Sequence, residues 1–302
     1  MSTSVDSLSA DASTALHAFW GDRLARVEAE IERLLPPADA DPARLHSAMR
    51  HAVLAGGKRL RPILNIAVHE AVGGSDPRAY TIGAAIEMLH TYSLIHDDLP
   101  CMDDDDQRRG QPTVHVAYDE ATAVLAGDAL HALTFEILAK HAPLPIFHDI
   151  VHAIGTTGML GGQMADLQAE GTQATEEIVV GIHRRKTGAL LIASALAGAR
   201  LAEVPDSVVE TVRRYATPLG LAFQIVDDLL EVTGNPELLG KSNKSDEKHA
   251  KVTYPGAVGI DRASDRANEL AAEAIEALRS MPPESDTTML EAIARFVVSR
   301  DH

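Results

Sequence analysis

Apolar residues recur every three or four positions along most of the chain, the spacing of one face of an α-helix. The segment ALHAFWGDRLARVEAEIERLL carries that period until Pro36 and Pro37 end it. The same pattern predicts helices from Pro42 to Ala55, Arg61 to Val72, and Ala79 to about Asp98. It resumes from Ala117 to Ala139, Ile146 to Gln168, Thr175 to Leu201 and Val208 to Glu231. Two further stretches run from about Tyr254 to Met281 and from Asp286 to Val298. Alternating β-branched runs and Asn-Gly hairpin signals are missing, so no strand is expected. No linker or shift in composition divides the chain. The expectation is an all-α, single-domain bundle of about ten core helices over residues 13–302, after a flexible tail at residues 1–12.

Composition sharpens this picture. The 302 residues are 45% hydrophobic but only 4% aromatic, so the core must be aliphatic, built on Ala and Leu. A formal net charge of −17 argues against nucleic acid and anionic membranes as partners, because both need a basic footprint. The longest apolar run, GALLIASALAGA at 188–199, is shorter than the roughly 18 residues of a membrane span. The opening MSTSVDSLSADAS lacks the basic and apolar regions of a signal peptide. The single cysteine, Cys101, rules out an intramolecular disulfide. A cytoplasmic protein without membrane insertion is expected.

The segments between helices carry the chemistry. LIHDDLPCMDDDDQRRGQP, residues 94–112, packs six aspartates into ten positions and then two arginines. Carboxylates about 4 Å apart repel by roughly 1 kcal/mol in water and roughly 4 at an effective dielectric near 20. Amphipathic segments on both sides argue against a disordered acidic tail. A calcium loop fails too, since aligning Gly110 with the invariant glycine puts Arg109 at a ligand position and Val116 where a Glu belongs. A Cys101 ligand suits a hard cation poorly. On an unbroken helix Asp97 and Asp103 would face different directions. Pro100 ends or kinks the helix, which lets the chain turn back and bring Asp103 near Asp97. Two carboxylates with phosphate oxygens and waters are a usual setting for Mg²⁺.

A second acidic group, FQIVDDLLEVTGN at 223–235, has helical spacing. Gln224, Asp227, Asp228 and Glu231 share one face, which is either solvated or lines a cavity. The apolar Phe223, Ile225, Val226, Leu229 and Leu230 favour the cavity. Twelve of the 27 Lys and Arg gather in four short stretches: around Lys58, at Arg108 and Arg109, at residues 184–186, and between Lys241 and Lys251. An acidic chain that concentrates its cations this way suits a compact polyanion. Two acidic walls with such neighbours fit a metal-bridged diphosphate, and GGKRLRP (56–62) offers a second, metal-free anion site. GGKRLRP is not a P-loop, and on its own it is equally a solvated loop.

These motifs together resemble the trans-isoprenyl diphosphate synthases, most closely the bacterial-type farnesyl diphosphate synthases. DDLPCMDDDDQRRG is similar to that family's first aspartate-rich motif, with a two-residue insertion, and DDLLE to its second. GGKRLRP, GGQMADLQAEG, HRRKTGAL and LGK…D…K.TYP fall in family order over almost the whole chain. The resemblance implies an isoprenoid synthase bundle around a deep apolar cavity, a homodimer, and about three Mg²⁺ per active site, two between Asp97 and Asp103 and one on Asp227. It implies that Lys58, Arg61, His90 and Arg109 hold isopentenyl diphosphate. Arg108, Lys186 and Lys241 would hold the allylic diphosphate, with Thr187 and Gln224 beside the developing cation and residues 234–251 a mobile lid. Without the family, His90 reads as an ordinary core or surface histidine. Where the second motif usually ends in Asp this chain has Glu231, whose longer arm suits contact through water better than direct ligation.

The resemblance also bears on product length. Tyr92 lies five residues before Asp97, roughly 7.5 Å back along a helix, with Ser93 and Leu89 nearby. A large residue there resembles farnesyl synthases, so the fifteen-carbon product is expected. Geranylgeranyl or geranyl diphosphate synthesis is the alternative. A terpene cyclase or a non-catalytic subunit fits less well, given the second anion site and both acidic motifs.

Overall fold

In a computed structural model, residues 10–233 and 251–300 are described. The chain forms α-helices α1 (Ala10–Leu34), α2 (Ala43–Val53), α3 (Leu60–Ala71), α4 (Arg78–Asp97), α5 (Val114–Ala117), α6 (Glu120–His141) and α7 (Leu144–Ile154). It continues through α8 (Met159–Ala169), α9 (Glu176–His183), α10 (Ala189–Leu201), α11 (Asp206–Thr233), α12 (Tyr254–Val258), α13 (Ile260–Leu278) and α14 (Thr288–Ser299). The all-α architecture stands. Lys241 and residues 234–250 of the expected lid lie outside the described residues.

Local chemistry sets the boundaries. α1 begins at Ala10, inside the expected tail, and ends just before Pro36. α6 begins at Glu120 rather than Ala117 because Asp119 caps it, accepting from the Thr122 backbone N–H at 2.6 Å. Thr175 and Thr253 cap α9 and α12 in the same way. The pattern from Ile146 to Gln168 divides at 155–158 into α7 and α8, and that from Tyr254 divides at Gly259. The pattern from Thr175 to Leu201 is interrupted by a π-helical turn at Arg184–Gly188.

Two apolar clusters form the core. One joins α3, α10, α11, α13 and α14; the other joins α1, α2, α4, α6 and α7. Both include α10. Leu191, Ala195 and Ala199 face the first cluster, while Leu190, Ala193 and Ala197 face the second. That explains GALLIASALAGA: it is a helix apolar on every side because it is buried on every side. Each buried leucine there contributes about 2 kcal/mol of transfer free energy. α6 is long and apolar enough by composition to cross a membrane, but its inner side packs on α4 and α2.

Candidate active site

α4 ends at Asp97, and the chain folds back as Pro100 requires. The Asp103 N–H donates to the Asp97 carbonyl at 2.8 Å, and the Met102 and Asp104 N–H groups donate to Leu99. Asp103 therefore returns to Asp97. The six crowded aspartates then divide their work. Asp98 and Asp105 turn inward onto Arg108, whose Nε donates to Asp98 Oδ1 at 2.7 Å and whose Nη2 meets Asp105 Oδ2 at 3.3 Å. Asp97 keeps the crowding: burial, with Asp103 and Asp98 nearby, pushes its carboxyl up to about 6, although Lys186 and Arg108 pull it down. Cys101 is exposed.

Arg108 and Arg109 lie on a hairpin of two-residue strands, β1 (Gln107–Arg108) and β2 (Gln111–Pro112), which the sequence reading did not anticipate. Its turn residues Arg109 and Gly110 both have positive φ, 55° and 74°, as a tight two-residue hairpin turn requires. Arg109 Nη1 donates to the Gly56 carbonyl at 2.5 Å. Gly57, at φ +125°, lies so close that an added Cβ would stand 2.7 Å from the Arg109 guanidinium carbon. This is why the second glycine of GGKRLRP is a glycine.

Arg59 does not join the anion-facing cations. It is fully buried, donates to Glu28 at 2.7 Å, Glu87 at 3.1 Å and the Val53 carbonyl at 2.6 Å, and ties α1 and α4 to the loop before α3. Among the described residues, the non-glycine positions with positive φ are Arg59, Asp104, Arg109 and Glu203. Three of them belong to this charged region, each costing roughly 1–2 kcal/mol. The strain aims Arg59 inward, leaving Lys58 and Arg61 on either side. Arg61 is buried, and the resulting loss of solvation lowers its pKa, while Glu87 and Asp227 oppose that. Burial and then Arg61, Arg109, Arg108 and Arg59 hold the His90 imidazole well below its ordinary range, so it is neutral at pH 7.

The second wall comes from α11 and the π-helical turn. Extra residues of this kind re-aim side chains, and such turns are frequent at functional sites. Here the turn carries Lys186 and Thr187. Lys186 Nζ reaches Asp166 Oδ2 of α8 at 2.6 Å. Burial works against its ammonium, but Asp97, Asp166 and Asp103 prevail and its pKa ends above the usual value. Gly162 makes the approach possible, since a Cβ there would lie 2.2 Å from the Lys186 backbone nitrogen. Thr187 Oγ1 donates to Gln224 Oε1 at 2.6 Å, and Gln224 Nε2 donates to Asp228 Oδ1 at 3.1 Å. Asp228 is buried, accepts the Tyr254 N–H at 2.8 Å and faces His183, so it holds structure together. Asp227, one residue earlier, pairs with Arg300 at 2.8 Å. Arg300 also donates to the Phe223 carbonyl and lies over the Phe223 ring. Lys58 is desolvated there, near Arg300 and Asp227.

Asp97, Asp103 and Asp227 supply hard oxygen donors that suit magnesium. Among the described residues no three Asp, Glu, His or Cys side chains form a ready-made metal cage. Magnesium on phosphates is held by one or two carboxylates together with substrate oxygens, so it does not require such a cage. The return of Asp103 to Asp97, which gathers carboxylates at one end of α4, is the feature that fits a cation.

The family model for polyprenyl synthetase matches residues 42–293. The chain belongs to the polyprenyl synthetase family. It is 40% identical to the farnesyl diphosphate synthase of Bacillus subtilis over 295 residues, covering 95% of this chain and 99% of that one. It is 44% identical over 271 residues to geranylgeranyl pyrophosphate synthase 3 of Arabidopsis thaliana, covering 86% and 75%. A crystal structure of the Helicobacter pylori geranyltransferase, complexed with magnesium and isoprenyl diphosphate, superposes with a TM-score of 0.81 at 32% identity, covering 92% and 95%.

In this polyprenyl synthetase, the sequence-read residues fall into one connected region. Asp97, Asp103, Arg108, Lys186, Thr187 and Gln224 adjoin one another, and Arg61 and Arg109 form the neighbouring cationic group around neutral His90. Ser93 turns back to the His90 carbonyl at 2.8 Å. Glu231 lies one turn beyond Asp227 and is half-buried. Sequence reasoning gave no individual site role to four participants. Lys251, which pairs with Asp103 at 2.9 Å, stood within a quoted motif and had a signal. Asp166 stood in another, GGQMADLQAEG. Glu87 and Arg300 carried none.

Proposed function

We propose that the chain joins isopentenyl diphosphate to dimethylallyl diphosphate and then to geranyl diphosphate, releasing (2E,6E)-farnesyl diphosphate. Prenyl transfer follows from the family; the fifteen-carbon product rests on Tyr92. Its ring is 4% exposed on α4, five residues before Asp97, where a growing tail running along that helix would meet it.

Lys58, Arg61, Arg109 and neutral His90 bind the diphosphate of isopentenyl diphosphate, the histidine as a hydrogen-bond donor rather than a cation. Arg108, Lys186 and Lys241 bind the allylic diphosphate. Asp97, Asp103 and Asp227 would hold about three magnesium ions, with Glu231 reaching through water. Magnesium bound there supplies charge stabilisation to the departing diphosphate. The allylic C–O bond breaks and its electron pair leaves with the diphosphate. Thr187 and Gln224 turn oxygen dipoles toward the cation. The terminal alkene carbon of isopentenyl diphosphate forms the new C–C bond, and the proton then lost passes to the released diphosphate. No protein base is needed. We place the enzyme in the cytoplasm, as a homodimer.

Geranylgeranyl synthesis is the second reading, favoured by the Arabidopsis thaliana relative. Purified protein would be incubated with isopentenyl diphosphate, magnesium and either dimethylallyl or geranyl diphosphate, and products sized by mass spectrometry. Farnesyl product from the parent and longer product from Tyr92→Ala are expected. Geranylgeranyl product from the parent would select the second reading. Absence of any isopentenyl-dependent product would move the assignment to a cyclase or subunit.

A further inference from the structure

The chain has five Phe, five Tyr and one Trp, yet it sets Tyr92, Phe135 and Phe147 in one ladder with two histidines. From α4 to α7 the order is His96, Tyr92, His131, Phe135, Phe147. The Tyr92 ring lies 4.8 Å from His131, centroid to centroid and tilted by 37°, and meets His96 edge-on at 5.9 Å. His131 in turn meets Phe135 at 4.6 Å, and Phe135 meets Phe147 at 6.0 Å.

The pair at the centre is unusual. Tyr92 Oη and His131 Nε2 are both sealed from solvent, and neither has a hydrogen-bond partner. A buried polar atom left unpaired costs about 1–3 kcal/mol. The contact between these rings is therefore not held by polar pairing. It rests on packing: the His131 ring, carried by α6, lies tilted against the Tyr92 ring of α4.

We propose that His131 is a second determinant of product length, a positioning residue that acts as the backstop of Tyr92. The inference rests on the reading of Tyr92 as the wall met by the growing tail. A tail pressing on Tyr92 can displace it only by displacing His131, and His131 is braced by Phe135 and Phe147. Bulk at position 92 is then insufficient alone; the wall is as firm as the ring behind it.

Three variants test this, with Tyr92→Ala alongside and products sized for each. His131→Ala should raise the ratio of twenty-carbon and longer products to fifteen-carbon product by about ten-fold or more, the discrimination typical of apolar pockets differing by small groups. The rate of the first condensation, dimethylallyl to geranyl diphosphate, should stay within about two-fold, since no diphosphate contact changes. A merely structural role would lower both rates together and leave the ratio alone. His131→Phe keeps a ring there and should restore the fifteen-carbon product. His131→Trp should push Tyr92 toward the substrate and enrich the ten-carbon product, so the proposal is tested even if His131→Ala does not fold. Lengthening by Tyr92→Ala with an unchanged ratio in His131→Ala and His131→Trp would overturn the backstop and leave the wall standing. Absence of lengthening in Tyr92→Ala would remove the wall, and the backstop with it.

Discussion

At Asp97 a carboxyl is held up to about 6 by burial and by two carboxylate neighbours, so folding favours its protonated form. The stabilising contribution of that proton is complete below the ordinary carboxylate range and is lost as pH rises through about 6. The metal-free enzyme should thus lose stability between about pH 4 and 7 at this residue. A rise from 3.8 to about 6 sets a ceiling of about 3 kcal/mol, which solvent access to a half-buried side chain reduces to roughly 1–2 kcal/mol. Asp97→Asn removes the charge and nearly preserves the shape. Urea unfolding of the metal-free proteins should show it more stable than the parent at pH 8 and equal near pH 4, with prenyl transfer abolished. Equal stability at both pH values would mean that Asp97 carries no unrelieved charge. Individual residues were legible to different depths for a related reason. Asp97, Asp103 and Asp227 could be singled out from the sequence because each stands in an acidic run whose crowding calls for a cation. Arg59 could not: GGKRLRP reads as three equivalent cations, and only the partners Glu28 and Glu87, 31 and 28 residues away, turn the middle one inward.

Among the elements, the π-helical turn does the most for the site and was the least visible. Hydrophobic periodicity continues across Thr175–Leu201 because α9 and one side of α10 join the same apolar cluster, so a template of 3.6 residues per turn passes over a local insertion. The breaks at 155–158 and Gly259 were hidden by the same continuity. The hairpin at 107–112 was hidden by the opposite property, strands too short to alternate and an Arg-Gly turn in place of Asn-Gly. Helices, their order and the return of the chain at Pro100 were legible because each follows from nearby residues. The turn depends on Gly162 for its position. Gly162→Ala would drive a methyl into the Lys186 backbone, where a rigid neighbour makes overpacking cost about 1–3 kcal/mol. The expected outcome is a lower thermal midpoint together with a kcat loss exceeding any change in KM for isopentenyl diphosphate, whose proposed contacts lie on α3 and the loop before it, α4 and the hairpin. An equal rise in both KM values with unchanged kcat would show that the turn does not position the reacting groups.

Across the whole molecule, a net charge of −17 surrounds a site built from concentrated cations, so substrate entry works against the long-range field and depends on that local cluster. The apolar surface is less evenly covered. Val124 and Leu125 of α6 are 41% and 58% exposed, and Leu144 at the start of α7 is 77% exposed. Exposed apolar side chains on a helix that is otherwise a core element suit an isologous face for a second copy. α6 would then be a shared wall. Its inner side bears His131 and packs on the helix of Tyr92, and its outer side bears Leu125. Leu125→Glu puts a charge on the outer side without touching the core. Size-exclusion chromatography with light scattering should give the parent twice the 32.3 kDa chain mass and the variant the single mass, with helical circular dichroism retained. The variant should also release a broader range of product lengths, because an α6 that has lost its outer partner holds the aromatic ladder less firmly. A parent of single-chain mass, or a Leu125→Glu variant that stays dimeric, would separate this face from assembly. A monomer with unchanged product length would show that α4 and α6 fix the ladder without help from a second copy.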